Sequence, residues 1–332
     1  MTSLLRRLLP RQQSDLYIAI AVRHGRVNFV AYKGGAAQRL LVNDELDVEQ
    51  QQYARTIERL LQRYAKLGLK GARTQVVLGP RLVQQTVVDK PALNDDELVQ
   101  ALPWTIKDLV DIPAADMVAD YYESPVQIAG REKITAVVVQ KSWLQQLLEP
   151  LHAAKLNIQG VVNEDLACCS LLPPDHAPTM LVSQYGDQQA QLILVKQRGL
   201  VVSRQLKPIQ SVLQQAEPEP FESDMLAIEL QRSMDYFSGQ LRQAPLQHIQ
   251  LALPGQHLSL FRSQLEQSLS LAVDAYQYPT WAQELAAGDY SDVGALAGLT
   301  YILPDLVPPL AASNGANPSA QAPQHKGEAV HE

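Results

Sequence analysis

The chain has 332 residues, more than one domain usually holds, so two lobes or domains are the default organisation. Its hydrophobic fraction of 46% and charged fraction of 19% are those of an ordinary globular protein, and a net charge of -7 argues against a nucleic-acid binder. The two cysteines, adjacent Cys168 and Cys169, exclude a disulfide framework and fit a reducing compartment. Packing in or beside a helix explains them better than redox or metal chemistry.

No apolar run approaches the ~20 residues needed to span a bilayer. Residues 1–14 carry Leu4, Leu5, Leu8 and Leu9 among Arg6, Arg7 and Arg11, with no apolar core behind them. That is not a secretion signal; it reads as a frayed end, or as a weak contact with an anionic membrane surface.

The run 16–22 is apolar, His24-Gly25 makes a turn and 27–32 returns, which predicts a hairpin. A helix is predicted within 48–67, with Ala54, Ile57, Leu60, Leu61 and Tyr64 on one stripe and Gly68 ending it. Strands at 75–78 and 83–88 flank Gly79-Pro80. The next helix opens on Asn94, whose side chain caps it while Glu97 closes a capping box. Asp95 and Asp96 add charge at the positive end of the helix dipole, and this capping role explains the acidic triplet better than a metal cluster does. The helix is expected to pass Pro103-Trp104 and run to Val110. Strands follow near Tyr121 and at 134–139. Ser142 is predicted to start a helix, with Gln145 in the capping-box position and Pro150 bending it. A strand at 158–162 and a short helix at 165–172 lead to Pro173-Pro174 and Pro178, the expected lobe boundary.

Beyond it, 180–183, 190–195 and 200–205 read as a three-stranded meander, and Glu217-Pro218-Glu219-Pro220 as a linker. A helix over 223–241 puts Leu226, Leu230, Met234, Phe237 and Leu241 on one face. A strand at 248–253 and helices at 258–271 and 295–302 complete the pattern. From about Pro304 the composition predicts a disordered tail. Periodicity alone supports a two-lobed α/β or α+β protein.

Three ordered motifs go further: the Asp95 to Tyr121 block, Arg232-Ser233-Met234-Asp235-Tyr236-Phe237, and Gly294-Ala295-Leu296-Ala297-Gly298-Leu299. Together they resemble PilM-type pilus assembly proteins, nearest to the MshI type of mannose-sensitive haemagglutinin (MSHA) pilus biogenesis. The resemblance covers most of residues 15–302. It implies a two-lobed actin-like (ribonuclease H-like) ATPase fold. The first lobe would take 15–172, with an inserted subdomain at about 76–140; the second would take 173–302, before a tail at 303–332.

Actin-like ATPases hold phosphates between two hairpin turns, with aspartates anchoring hydrated Mg²⁺. Where the family's first hairpin reads Gly-Ile-Asp-Ile-Gly, this chain has Ala19-Ile20-Ala21-Val22-Arg23. Ala21 cannot ligate a metal, and Arg23 would intrude near the phosphates; Arg23-His24 is otherwise expected to be a solvated turn, or a contact for an anion. The second hairpin's Asp-Ile-Gly becomes Gln184-Tyr185-Gly186, with Asp187 as a weak substitute. The adenosine-side glycines become Leu253-Pro254-Gly255. Gly186 and Gly255 are thus the expected remnants of a degenerate nucleotide cleft. His24, His152, His176, His248 and His257 show no ligand spacing, and there is no P-loop, nucleophile elbow or dinucleotide fingerprint.

The expectation is therefore a non-enzyme with no catalytic residue, no metal and no cofactor, ATP and Mg²⁺ being the exception to test; the alternative is an active ATPase. The resemblance implies a cytoplasmic scaffold, peripheral to the inner membrane. Its partner would be a PilN/MshJ-like bitopic membrane protein, whose cytoplasmic N-terminal peptide docks beside the inserted subdomain. Trp104 and Leu109 are candidates for that surface. Contacts with other platform proteins and self-association are also expected.

Overall fold

The computed structural model describes residues 14–35, 38–127, 132–172, 177–185 and 189–307. The basic start at 1–13, part of the expected lobe boundary (173–176) and the tail beyond 307 lie outside the described residues. Pro304–Leu306, where the tail was expected to begin, form a short 3-10 turn.

Two five-stranded sheets share one construction. In the first, β1 (Leu16–Arg23) pairs antiparallel with β2 (Arg26–Lys33), which pairs antiparallel with β3 (Arg39–Asp47). On its other side β1 runs parallel to β4 (Arg73–Leu78). An insertion separates β4 from its parallel neighbour β8 (Asn157–Asn163), giving the order β3-β2-β1-β4-β8. The second sheet repeats this with β9 (Thr179–Ser183), β10 (Gln191–Lys196), β11 (Gly199–Gln205), β12 (His248–Ala252) and β13 (Ala272–Ala275), in the order β11-β10-β9-β12-β13. The inserted unit is a third sheet, β5-β7-β6, made of β5 (Gln84–Asp89), β6 (Met117–Glu123) and β7 (Lys133–Gln140).

Helices α1 (Tyr53–Arg63) and α3 (Lys141–Ala153) cover the outer face of the first sheet, packing on Ile18, Ile20 and Val22 of β1. Helices α6 (Pro220–Asp235) and α7 (Leu258–Leu269) cover the outer face of the second. Between the sheets lie α4 (Glu164–Cys168) and α8 (Val293–Ile302), in one apolar core fed by both lobes. The Ile/Ala alternation of β1 assigns its faces: the small Ala19 and Ala21 turn toward α8. A Cβ on Gly298 would lie 2.6 Å from Val77 and 3.0 Å from Ala19, so this motif glycine sets how closely α8 approaches the sheet. A short α5 (Gln210–Gln214) precedes α6.

Local signals decided several elements. The Asn94–Glu97 capping box forms, and α2 (Asp95–Thr105) packs on the inserted sheet through Leu98 and Leu102. Four departures have physical causes. Helix α2 ends at Thr105 rather than Val110, because Ile106 turns into the subdomain core as its C-cap. Ser142 does not cap α3; Asp116, from the turn before β6, accepts from the Ser142 backbone N–H (2.9 Å) and hydroxyl (2.8 Å) at that end. Helix α6 starts earlier than expected, with Pro220 in its first turn, and a π-turn over Tyr236–Gln240 ends it. The strand β3 was not anticipated. Its Asn43-Asp44-Glu45 stretch reads as loop, yet Asp44 takes hydrogen bonds from Arg63 and Tyr64, and Glu45 from Arg26 and Asn28.

Candidate functional site

The repeat brings the ends of β1 and β9 together: Arg23, the last residue of β1, lies beside Tyr185, two residues past β9. Arg23 ends β1, but it is not a solvated turn: only 2% of it is exposed. Its Nε donates to both carboxylate oxygens of Glu164 (3.0 and 2.8 Å), its Nη2 makes a further contact to the same carboxylate, and its Nη1 donates to the Ser291 carbonyl. The guanidinium carbon sits 4.0 Å from the centre of the Tyr185 ring, contributed by the second lobe. Burial pulls the guanidinium pKa down, but the Glu164 carboxylate more than offsets this and holds it above its ordinary value. Two glycines make room for the pair. A Cβ on Gly294 would come within 2.9 Å of both Arg23 and Glu164, and one on Gly79 would lie 3.0 Å from Arg23.

Asp165, the next residue, is also buried and reaches the other bodies. It accepts from Ser203 (2.7 Å) and Gln191 (3.1 Å) on the second sheet, and the Gln85 side chain of the inserted sheet lies near enough to favour its charged form. Burial pushes its carboxyl up to about 6; the Glu164 charge adds to this and the Ser203 hydrogen bond opposes it. The cavity lined by Arg23, Glu164, Asp165 and Tyr185 holds about 30 Å³ among the described residues. Small-molecule sites occupy roughly 300–1,000 Å³.

The other expected cleft residues fall as follows. Gln184 faces its own lobe: its amide accepts from the Ile209 N–H (2.8 Å) and donates to the Ile209 carbonyl (3.1 Å). Gly186 and Asp187 lie outside the described residues. Gly255 adopts φ +121°, which favours glycine, beside a cavity of about 20 Å³ floored by the buried Leu253. Cys168 and Cys169 are buried free thiols, each pushed up mainly by burial. Among the described residues no His, Cys, Asp or Glu cluster could hold a metal ion. Sequence reasoning missed Glu164 and Asp165, which carry no local motif.

A second feature lies beside the inserted sheet. The edge strands β6 and β8 flank a groove of about 200 Å³ lined by Val118, Asp120, Leu144, Val161, Asn163 and Leu166. Val118 and Val161 are 39% and 37% exposed. Asn163 is 4% exposed; its Oδ1 accepts from the Leu166 N–H (2.8 Å), while its Nδ2 has no hydrogen-bond partner among the described residues. Trp104 and Leu109 are exposed, at 66% and 57%, but line neither the groove nor the cleft.

No family model matches the chain, and no curated protein matches it. Among solved structures it is similar to the PilM–PilN type IV pilus biogenesis complex, at 15% identity and TM-score 0.61, covering 90% of this chain and all of that one. It is also similar to a Bacteroides thetaiotaomicron protein with an actin-like ATPase fold and unknown function, at 10% identity and TM-score 0.52, over 87% and 97% of the two chains. The fold is actin-like.

Two predictions follow from the buried acids. Arg23→Met leaves Glu164 buried without its counter-ion and lowers unfolding stability by about 3–5 kcal/mol, whereas Arg23→Met with Glu164→Met recovers most of it, read from urea unfolding midpoints. Asp165 is raised from 3.8 to about 6, so the folded state binds more protons across that window and stability falls as pH rises through it. Asp165→Asn removes this dependence, and its advantage over the wild type grows from pH 4 to pH 7 toward roughly 1–3 kcal/mol in unfolding experiments.

Proposed function

We propose that this chain is a PilM-like, MSHA-type scaffold of a type IV pilus or related secretion platform. It binds the cytoplasmic N-terminal peptide of a PilN/MshJ-like bitopic membrane protein through the groove between β6 and β8, and its nucleotide cleft is degenerate. The observation that carries this reading is the groove itself. Two strand edges open onto one apolar trough, and an edge strand offers the unpaired N–H and C=O groups that an extended peptide uses to add a strand. Val118, Val161 and Leu166 supply side-chain pockets, and the free Asn163 amide is a buried donor awaiting a carbonyl. Asp120, the charged group on the lining, favours a neutral or basic peptide. Likeness to a structure in which PilM is complexed with PilN supports the class of partner.

The interlobe cleft supports the non-enzymatic half. Phosphoryl transfer relies on positioned cations and carboxylates around a triphosphate. Here Arg23 is neutralised by Glu164, and Asp165 is engaged by Ser203 and Gln191. No helix of the described residues is long and apolar enough to cross a membrane, so in this reading the chain sits at the cytoplasmic face through its partner.

The test is fluorescence anisotropy with a labelled N-terminal cytoplasmic peptide of a PilN/MshJ-type protein. Wild-type protein binds saturably. Val161→Asp weakens binding at least about tenfold, near 1.4 kcal/mol, without altering the thermal melt. Trp104→Ala changes it less than about threefold, because the ring lies outside the groove. Absence of binding by the wild type, or equal binding by Val161→Asp, contradicts the reading.

A further inference from the structure

Asn163, Glu164 and Asp165 are consecutive residues that reach three different places. Asn163 ends β8 in the wall of the peptide groove and caps α4 through the Leu166 N–H. Glu164 opens α4 and holds Arg23 in the interlobe cleft. Asp165 accepts from Gln191 and Ser203 of the second sheet and lies beside Gln85 of the inserted one. Helix α4 is only five residues long, so its first turn cannot move at one of these places without moving at the others.

We propose that the Asn163-Glu164-Asp165 turn couples the groove to the seating of the two lobes and the inserted sheet, so that a bound peptide and the interlobe contacts regulate one another. This coupling rests on the groove being the peptide site. A peptide carbonyl accepting from the Asn163 Nδ2 polarises the same amide whose oxygen caps α4, which tightens that cap and shifts the turn that carries both acids. Neither acid can absorb the shift locally. The Arg23–Glu164 pair fills the space against Gly79 and Gly294, where a single added carbon would collide, and Asp165 is enclosed by groups from all three bodies. Packed interiors of this kind change arrangement in steps rather than by continuous deformation. Coupling between two binding events is reciprocal, so a change at Asp165 alters peptide affinity by the factor with which the peptide alters the Asp165 contacts.

Two measurements on the full chain test it. Hydrogen exchange is followed over residues 191–205 with and without the PilN/MshJ-type peptide, none of these residues lining the groove. Peptide affinity is measured for Asp165→Asn and Ser203→Ala, with thermal melts to confirm folding; Ser203→Ala removes the contact without changing charge. The expected results are a changed exchange rate over 191–205 on peptide binding and a shift in peptide Kd of at least about fivefold in both variants. Unchanged exchange together with affinities within twofold of wild type overturns the coupling while leaving the peptide site intact. Failure of the wild type to bind the peptide removes the site, and the coupling with it.

Discussion

A charged pair taken out of water holds the centre of this molecule. Arg23 and Glu164 lie 141 positions apart, and each is almost fully buried. Either alone in that environment would cost several kcal/mol; together, with the Ser291 carbonyl and the Tyr185 ring completing the shell, they are tolerated. The surrounding sequence is arranged for them. Gly79 and Gly294 are small where any side chain would strike the pair, and α8 approaches β1 closely because Gly298 meets Ala19 and Val77. The pair stands between the end of β1 and Tyr185 of the second lobe, with each charge facing the other.

Around this centre the fold is a duplication with one asymmetry. Both sheets follow the same strand order, but the insertion between β4 and β8 gives the first lobe an additional sheet. It leaves β6 and β8 as neighbouring open edges, and a groove with an unsatisfied buried amide results. The second lobe has no counterpart among its described residues. The groove thus arises from the insertion, while the small cavity between the lobes is lined by Arg23, Glu164, Asp165 and Tyr185. Asp165, in the first turn of α4 at the end of the first sheet, is hydrogen-bonded to Gln191 and Ser203 of the second, which makes the seating of the lobes sensitive to what that carboxylate contacts.

Local and apolar features were legible in the sequence. The β1–β2 hairpin, the Asn94 capping box, the meander of the second sheet and the buried stripes of α1 and α6 all follow from neighbours within a few residues. The resemblance marked position 23 as unusual because a glycine was expected there. What it could not supply was the partner: nothing near Glu164 announces that it will meet Arg23, and a lone arginine at a hairpin reads as solvated. The same limit explains α3, whose end is capped by Asp116 from 26 residues away rather than by its own sequence. It also explains β3, an edge strand whose polar residues are satisfied by Arg26, Arg63 and Tyr64. Trp104 is exposed and stands out by its size, while the groove between β6 and β8 is lined largely by valines that no motif singled out.

Calorimetric titration of the wild-type chain with ATP, with and without Mg²⁺, bears most directly on whether Arg23 and Glu164 have taken over the cleft. The expected result is no saturable heat under either condition. Saturable, Mg²⁺-dependent binding that displaces Arg23 from Glu164 would contradict it.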